Sequence, residues 1–185
     1  MNNEKYGNRK NILDKLAKYR GVNEIEETMK NDAILFIQGN KNCFERSLLI
    51  GHVNGSSWIV DSSFQYVLLT HHAKLNKWLQ LGGHSDGDPN TLNVAYREAT
   101  EESGLKSIKP LSDDIFDIDV HSIPEKNDEP EHFHYDIRFA FVADKKEPLS
   151  ISSESKDLQW VKLEDVKNLN TSDSLKRMVR KTQNL

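Results

Sequence analysis

Apolar residues recur at helical spacing twice near the start of the chain. Ile12, Leu13, Leu16 and Ala17 share one helical face, and Gly21 stops the run. A second stretch, 24–38, carries Ile25, Met29, Ala33, Ile34, Phe36 and Ile37 before Gly39-Asn40-Lys41-Asn42 breaks it. The spacing predicts two helices within 10–38. From Gly51 the pattern changes to short β-rich runs: a strand over 52–60 with an irregularity at Gly55, a turn at Asp61-Ser62-Ser63, a returning strand over 65–70, and a short strand over 77–81. A helix follows whose apolar arc is Leu92, Ala95, Tyr96 and Ala99. Further strands are expected over 115–120, 133–142 and 158–161, and helices over 163–169 and 172–181. The polar stretches 122–130 and 145–155 read as loops. Strands interleaved with helices define an α/β class. Residues 1–50 are expected as a helical extension that packs on the main domain or forms a dimer contact, and 51–185 as the main domain of one globular unit.

The run from His132 to Phe139 alternates polar and apolar residues. On a strand, His132, His134, Asp136 and Arg138 share one face, and Phe133, Tyr135, Ile137 and Phe139 share the other. The aromatic face is expected in the core. The polar face has three readings: a cleft lining in which histidines and Arg138 meet phosphate, a zinc site together with His84, or plain solvent-facing surface. His71 and His72 have no such companions and read as surface or loop residues.

Composition narrows the picture. The 185 residues carry a net charge of −4, with basic residues spread along the chain. A nucleic-acid polymer is therefore not expected as a partner, since phosphate-backbone binding needs clustered positive charge. No apolar stretch approaches the roughly 18 residues that span a bilayer, so no membrane association is expected. The N-terminus lacks an apolar signal region, and the lone Cys43 suits a reducing compartment, so a cytoplasmic location is expected. Cys43 reads as a buried small hydrophobe.

The densest chemistry lies between Gly83 and Leu105. Here a glycine-rich turn leads into a helix with three glutamates, and Gly104 ends it. At 3.6 residues per turn, Glu98, Glu101 and Glu102 fall within an arc of about 100°. Like charges so placed destabilise an isolated helix by roughly 0.2–0.5 kcal/mol per pair. A hard divalent cation converts that cost into affinity. The plainer reading is a solvated charged face in which Arg97 pairs with Glu101.

Arg97-Glu98-Ala99-Thr100-Glu101-Glu102-Ser103-Gly104-Leu105 resembles the core of the Nudix box, Arg-Glu-apolar-x-Glu-Glu-x-Gly-apolar, position for position. Gly83 stands fourteen residues before Arg97, as the box glycine does. One position departs: the upstream glutamate is replaced by Pro89, and the nearest acid is Asp88. The resemblance implies a Nudix-type α/β/α sandwich around a mixed curved sheet, carried by residues 51–169. It also implies a metal-dependent pyrophosphohydrolase that cleaves a nucleoside diphosphate linked to another moiety. Its small-molecule nucleotide substrate would be handled with Mg²⁺ or Mn²⁺.

In this implied site Gly83, Glu98, Glu101 and Glu102 hold the metal. Arg97 orients the carboxylates, and Glu101 serves as a ligand or takes a proton from water. Family members often place a base in the loop before a strand that ends in tryptophan. Glu154, six residues before Trp160, occupies that place, with Asp157 in reserve. His84, His132, His134, Asp136 and Arg138 are the candidates for substrate contact. The alternative is a non-catalytic Nudix-fold module that senses a nucleotide. Such modules usually lose box glutamates, and this chain keeps the three on the helix. An isomerase of the isopentenyl-diphosphate type needs a cysteine in a strand before the box, and Cys43 lies too far upstream.

Overall fold

A computed structural model describes residues 4–126, 130–153 and 155–185, with side chains of the first helix described from Arg9 onward. In chain order the elements are α1 (Glu4–Lys18), α2 (Glu24–Gly39), β1 (Gly51–Asp61), β2 (Tyr66–His72), β3 (Lys77–Leu79), β4 (Leu81–His84), α3 (Thr91–Ser103), β5 (Lys109–Pro110), β6 (Asp117–Ile123), β7 (His132–Ala143), β8 (Ser155–Lys162), a 3₁₀ helix (Leu163–Asn168) and α4 (Asp173–Thr182). Hydrogen bonds link the strands in the order β3-β2-β1-β7-β5, with β4 also paired to β1, β6 to β7 and β8 to β2. No described helix is long and apolar enough to cross a membrane.

The described residues form two compact units. The first holds residues through Ser56, Gly83–Ala95 and the 113–139 region; the second holds Ser57–Gly82, Tyr96–Ser112 and Ala140–Leu185.

In the first unit, α1 and α2 meet at a corner built on buried Glu26, whose carboxylate accepts from the Tyr19 hydroxyl and from the Val22 N–H at 2.7 Å. Asn23 caps α2 by accepting the Glu26 N–H at 3.0 Å. The buried face of α2 carries Met29, Ala33, Phe36 and Ile37. It packs on β6 and β7, where Phe36 stacks on Tyr135 with ring centroids 4.0 Å apart. Ile25, expected on this face, is 70 % exposed. The buried face includes Glu26 and Lys30, which rotates its centre away from Ile25. β6 and β7 pair antiparallel from Asp117↔Arg138 to Ile123↔His132.

The polar–apolar alternation of β7 does not translate into an inside and an outside. From Asp136 to Phe141 every residue is buried, so both faces are covered. At the start of the strand the expected sides are reversed: His132 is buried, and Phe133 is 46 % exposed. α2 meets the aromatic face at Tyr135, on which Phe36 stacks, whereas Phe133 stays exposed. Phe133 is therefore not a core residue.

In the second unit, β2 pairs antiparallel with β3 and, over most of its length, with β8. The expected strand over 77–81 is divided at Gln80 into β3 and β4. The β1–β2 turn is held by buried Asp61, which accepts the N–H groups of Gln65 and Tyr66 at 3.0 and 2.9 Å. The segment expected as a helix over 163–169 is 3₁₀ rather than α. α4 buries Leu175 and Met178, and Thr182 at its end accepts the indole N–H of fully buried Trp58 at 2.8 Å.

Candidate active site

The approach to α3 is braced by the loop that follows α2. Arg46 grips Asp86 with two hydrogen bonds of 2.7 and 3.0 Å, and the Gly87 N–H donates to the Phe44 carbonyl at 2.9 Å. Asp88 accepts the Asn90 N–H at 2.9 Å and the Asn93 side-chain amide at 3.2 Å. Asn90 in turn accepts the Asn93 N–H at 3.2 Å, so two polar side chains organise the first turn. The first half of the helix lies close against β1. A Cβ at Gly55 would sit 2.5 Å from the Thr91 carbonyl oxygen and 2.9 Å from the Ala95 nitrogen, so this approach requires glycine.

Val94, Ala95 and Ala99 are the fully buried apolar residues of α3. Tyr96, expected on the buried arc, is 39 % exposed, because Val94 and not Tyr96 turns inward beside Ala95. Gly104 has φ +71° and donates its N–H to the Thr100 carbonyl at 2.9 Å, which ends the helix in the left-handed conformation glycine favours. Along the arc, Glu98 and Glu102 are half-buried and Glu101 is exposed. Arg97 donates to Glu98 at 2.7 Å, so its neighbour in sequence holds it. Three carboxylates thus lie on one arc of the helix, two of them partly withdrawn from water. Glu154 lies outside the described residues. Asp157 accepts from the Leu158 N–H at 2.8 Å and from the Gln159 amide at 2.5 Å.

The polar face of β7 separates into two groups. Arg138, with 3 % of its side chain exposed, donates to Asp117, Asp119 and Asp136 at 3.2 Å each. This places Asp136 and Arg138 in a buried ionic network between β6 and β7. His132 and His134 instead meet His84 of β4 and a residue that had no assigned role, His52 of β1. The His52 ring centroid lies 5.0, 5.2 and 4.6 Å from those of His84, His132 and His134. His121, paired with His134 across β6–β7, brings its ring to 5.6 Å from that of His134. Five of the seven histidines in the chain thus gather within the first unit.

Burial, then the His84 and His132 rings and Arg46, push His52 down to about 4, with Asp86 acting in the opposite sense. Burial and the four surrounding histidines push His134 down to about 2. Both are neutral imidazoles at pH 7. His121 goes the other way: burial opposes its charge, but the Asp119 hydrogen bond and the Asp136 and Asp119 charges raise it. Among the described residues neither ring nitrogen of His52 has a hydrogen-bond partner, although the residue is only 2 % exposed. An unsatisfied buried polar group costs about 1–3 kcal/mol, so this arrangement is expensive as it stands. Nothing in the local sequence around His52 marks it, because only the pairing of distant strands gives it neighbours.

The fold is an α/β architecture whose helix after β4 carries the three glutamates. The NUDIX domain family model matches residues 52–182. The chain belongs to the Nudix family and is a Nudix hydrolase. No curated protein matches the sequence. Among solved structures, it is similar to a NUDIX-family hydrolase from Clostridium perfringens, with 26% identity over 71% of this chain and 96% of that one and a TM-score of 0.52. A C. elegans Ap4A hydrolase shares 15% identity over 71% and 95% of the two chains, with a TM-score of 0.53. An E. coli dihydroneopterin triphosphate pyrophosphohydrolase shares 13% identity over 72% and 96%, with a TM-score of 0.57. The last two establish likeness of fold. The expected α/β Nudix architecture is the one observed, and Nudix hydrolases generally use divalent metals.

Proposed function

We propose that this chain is a metal-dependent pyrophosphohydrolase that cleaves a nucleoside diphosphate linked to another moiety, with Mg²⁺ or Mn²⁺ as its metal. The observation that carries the reading is the set Glu98, Glu101 and Glu102 on one arc of α3, with Arg97 holding Glu98 at 2.7 Å. Glu98 and Glu102, four residues apart, are the direct ligands. Glu101 completes the set or takes a proton from the attacking water, and Gly83 contributes its carbonyl by the family pattern. A bound divalent ion neutralises phosphoryl oxygens and lowers the pKa of coordinated water. Arg97 positions Glu98, and Glu154 is the candidate base outside the helix. The name of the Ap4A hydrolase among the similar structures supports a nucleotide derivative as substrate.

The test is a panel of dinucleoside polyphosphates, nucleoside diphosphate sugars and nucleoside triphosphates, assayed with Mg²⁺ and with Mn²⁺. Phosphate release is read with and without an added phosphatase. Activity should vanish in excess chelator. Glu102→Gln should fold normally and turn over roughly 10²-fold more slowly or worse, because a ligand is lost and not a packing contact. Unchanged turnover in that variant would reject the assignment, and a folded, metal-replete protein that cleaves nothing in the panel would favour a sensing role.

A further inference from the structure

The histidine cluster has the composition and spacing of a metal site whose chemistry differs from that of the α3 carboxylates. The candidate ligand atoms of His52, His132 and His134 all lie within 4.8 Å of one another. His132 and His134 approach most closely, Nε2 to Nε2 at 3.3 Å. With zinc–nitrogen bonds of about 2.0–2.1 Å, two ligands on a tetrahedral ion stand roughly 3.3–3.4 Å apart, so this separation accommodates one without moving either ring.

The tautomer of His132 is also set. Its Nδ1 lies 2.9 Å from the Pro130 carbonyl, which can only accept, so Nδ1 donates there and Nε2, facing His134, is the nitrogen left to a metal. Ligand histidines characteristically donate their other N–H to a backbone carbonyl in this way. His52 comes from the neighbouring strand, buried and with neither ring nitrogen hydrogen-bonded among the described residues. An ion bound to one of those nitrogens gives it a partner. His84 borders the three, its ring 5.0 Å from that of His52 and 5.5 Å from that of His134.

We propose that His52, His132 and His134 bind a divalent transition metal, zinc before others, at a site independent of the box glutamates. Imidazole nitrogens suit zinc and its neighbours in the first transition row, whereas Mg²⁺ demands oxygen and keeps its waters. The chain therefore offers two kinds of cation site.

The experiment uses the full chain, stripped with chelator and returned to buffer with excess Mg²⁺ so that the carboxylates are occupied. Co²⁺ is titrated in as a spectroscopic probe and then displaced with Zn²⁺. One equivalent of Co²⁺ should bind with the intense visible bands of a tetrahedral nitrogen site, and Zn²⁺ should bleach them. His134→Ala should weaken Co²⁺ binding at least 100-fold, and Glu102→Gln should leave it unchanged. Weak octahedral bands in the wild type overturn the proposal, whether or not the histidine variant folds. So does unaltered binding in a folded His134→Ala, or loss of binding in Glu102→Gln, which would put the ion on the carboxylates. Because Glu102→Gln is read here by binding and in the preceding test by turnover, either site can fail without the other.

Discussion

At the residue scale, burial separates aromatic positions that the chain presents alike. Phe133 and Phe139 lie on the same side of β7 by alternation, yet Phe133 is 46 % exposed and Phe139 is fully buried. Phe139→Ala should cost roughly 3–5 kcal/mol in chemical unfolding, the range for truncating a core aromatic. Phe133→Ala should cost well under about 1 kcal/mol, as surface changes usually do. Equal losses in the two variants would mean that the start of β7 is covered after all. The alternation in the sequence correctly pairs the residues by face. It is silent on how far along the strand each face is covered, because coverage is provided by α2 and by the neighbouring strands.

At the element scale, the β6–β7 pair is held by charge as well as by its ladder. Arg138 reaches Asp117, Asp119 and Asp136, and it and Asp117 are almost wholly buried. Removing one member of a buried ionic group leaves uncompensated charge and typically costs about 3–5 kcal/mol. Arg138→Met should therefore lower the urea midpoint sharply, with three carboxylates left facing one another. A stable Arg138→Met protein with a raised KM would instead assign the guanidinium to substrate. The sequence lists Arg138 and Asp136 two residues apart, but Asp117 and Asp119 join them only through the antiparallel register Asp117↔Arg138 and Asp119↔Asp136.

At the scale of the whole chain, ties between distant segments do what no single element can. The Trp58 indole N–H meets the Thr182 hydroxyl at 2.8 Å, both residues buried, joining β1 to the last turn of α4 across 124 positions of sequence. Trp58→Phe and Thr182→Val should each destabilise by roughly 1–3 kcal/mol, and a double-mutant cycle should show coupling of at least about 0.5 kcal/mol. Strict additivity of the two changes would deny the bond any energetic weight.

What could be read from the residues alone is what depends on near neighbours in the chain. A helix closes its hydrogen bonds four residues apart, so the box determines by itself that Glu98, Glu101 and Glu102 share an arc, and that Gly104 ends it. The strands of β1, β2, β7 and β8 are legible for the same reason, since their composition and turns are local. Tertiary structure alone decides which strands lie side by side. Positions 52, 84, 121, 132 and 134 come from four strands, and no spacing in the sequence joins them. Only the pairing of β4 with β1 and of β6 with β7, and the placing of β1 beside β7, turns five scattered imidazoles into one cluster. The same pairing withdraws His52 from water, which makes the need for a partner acute.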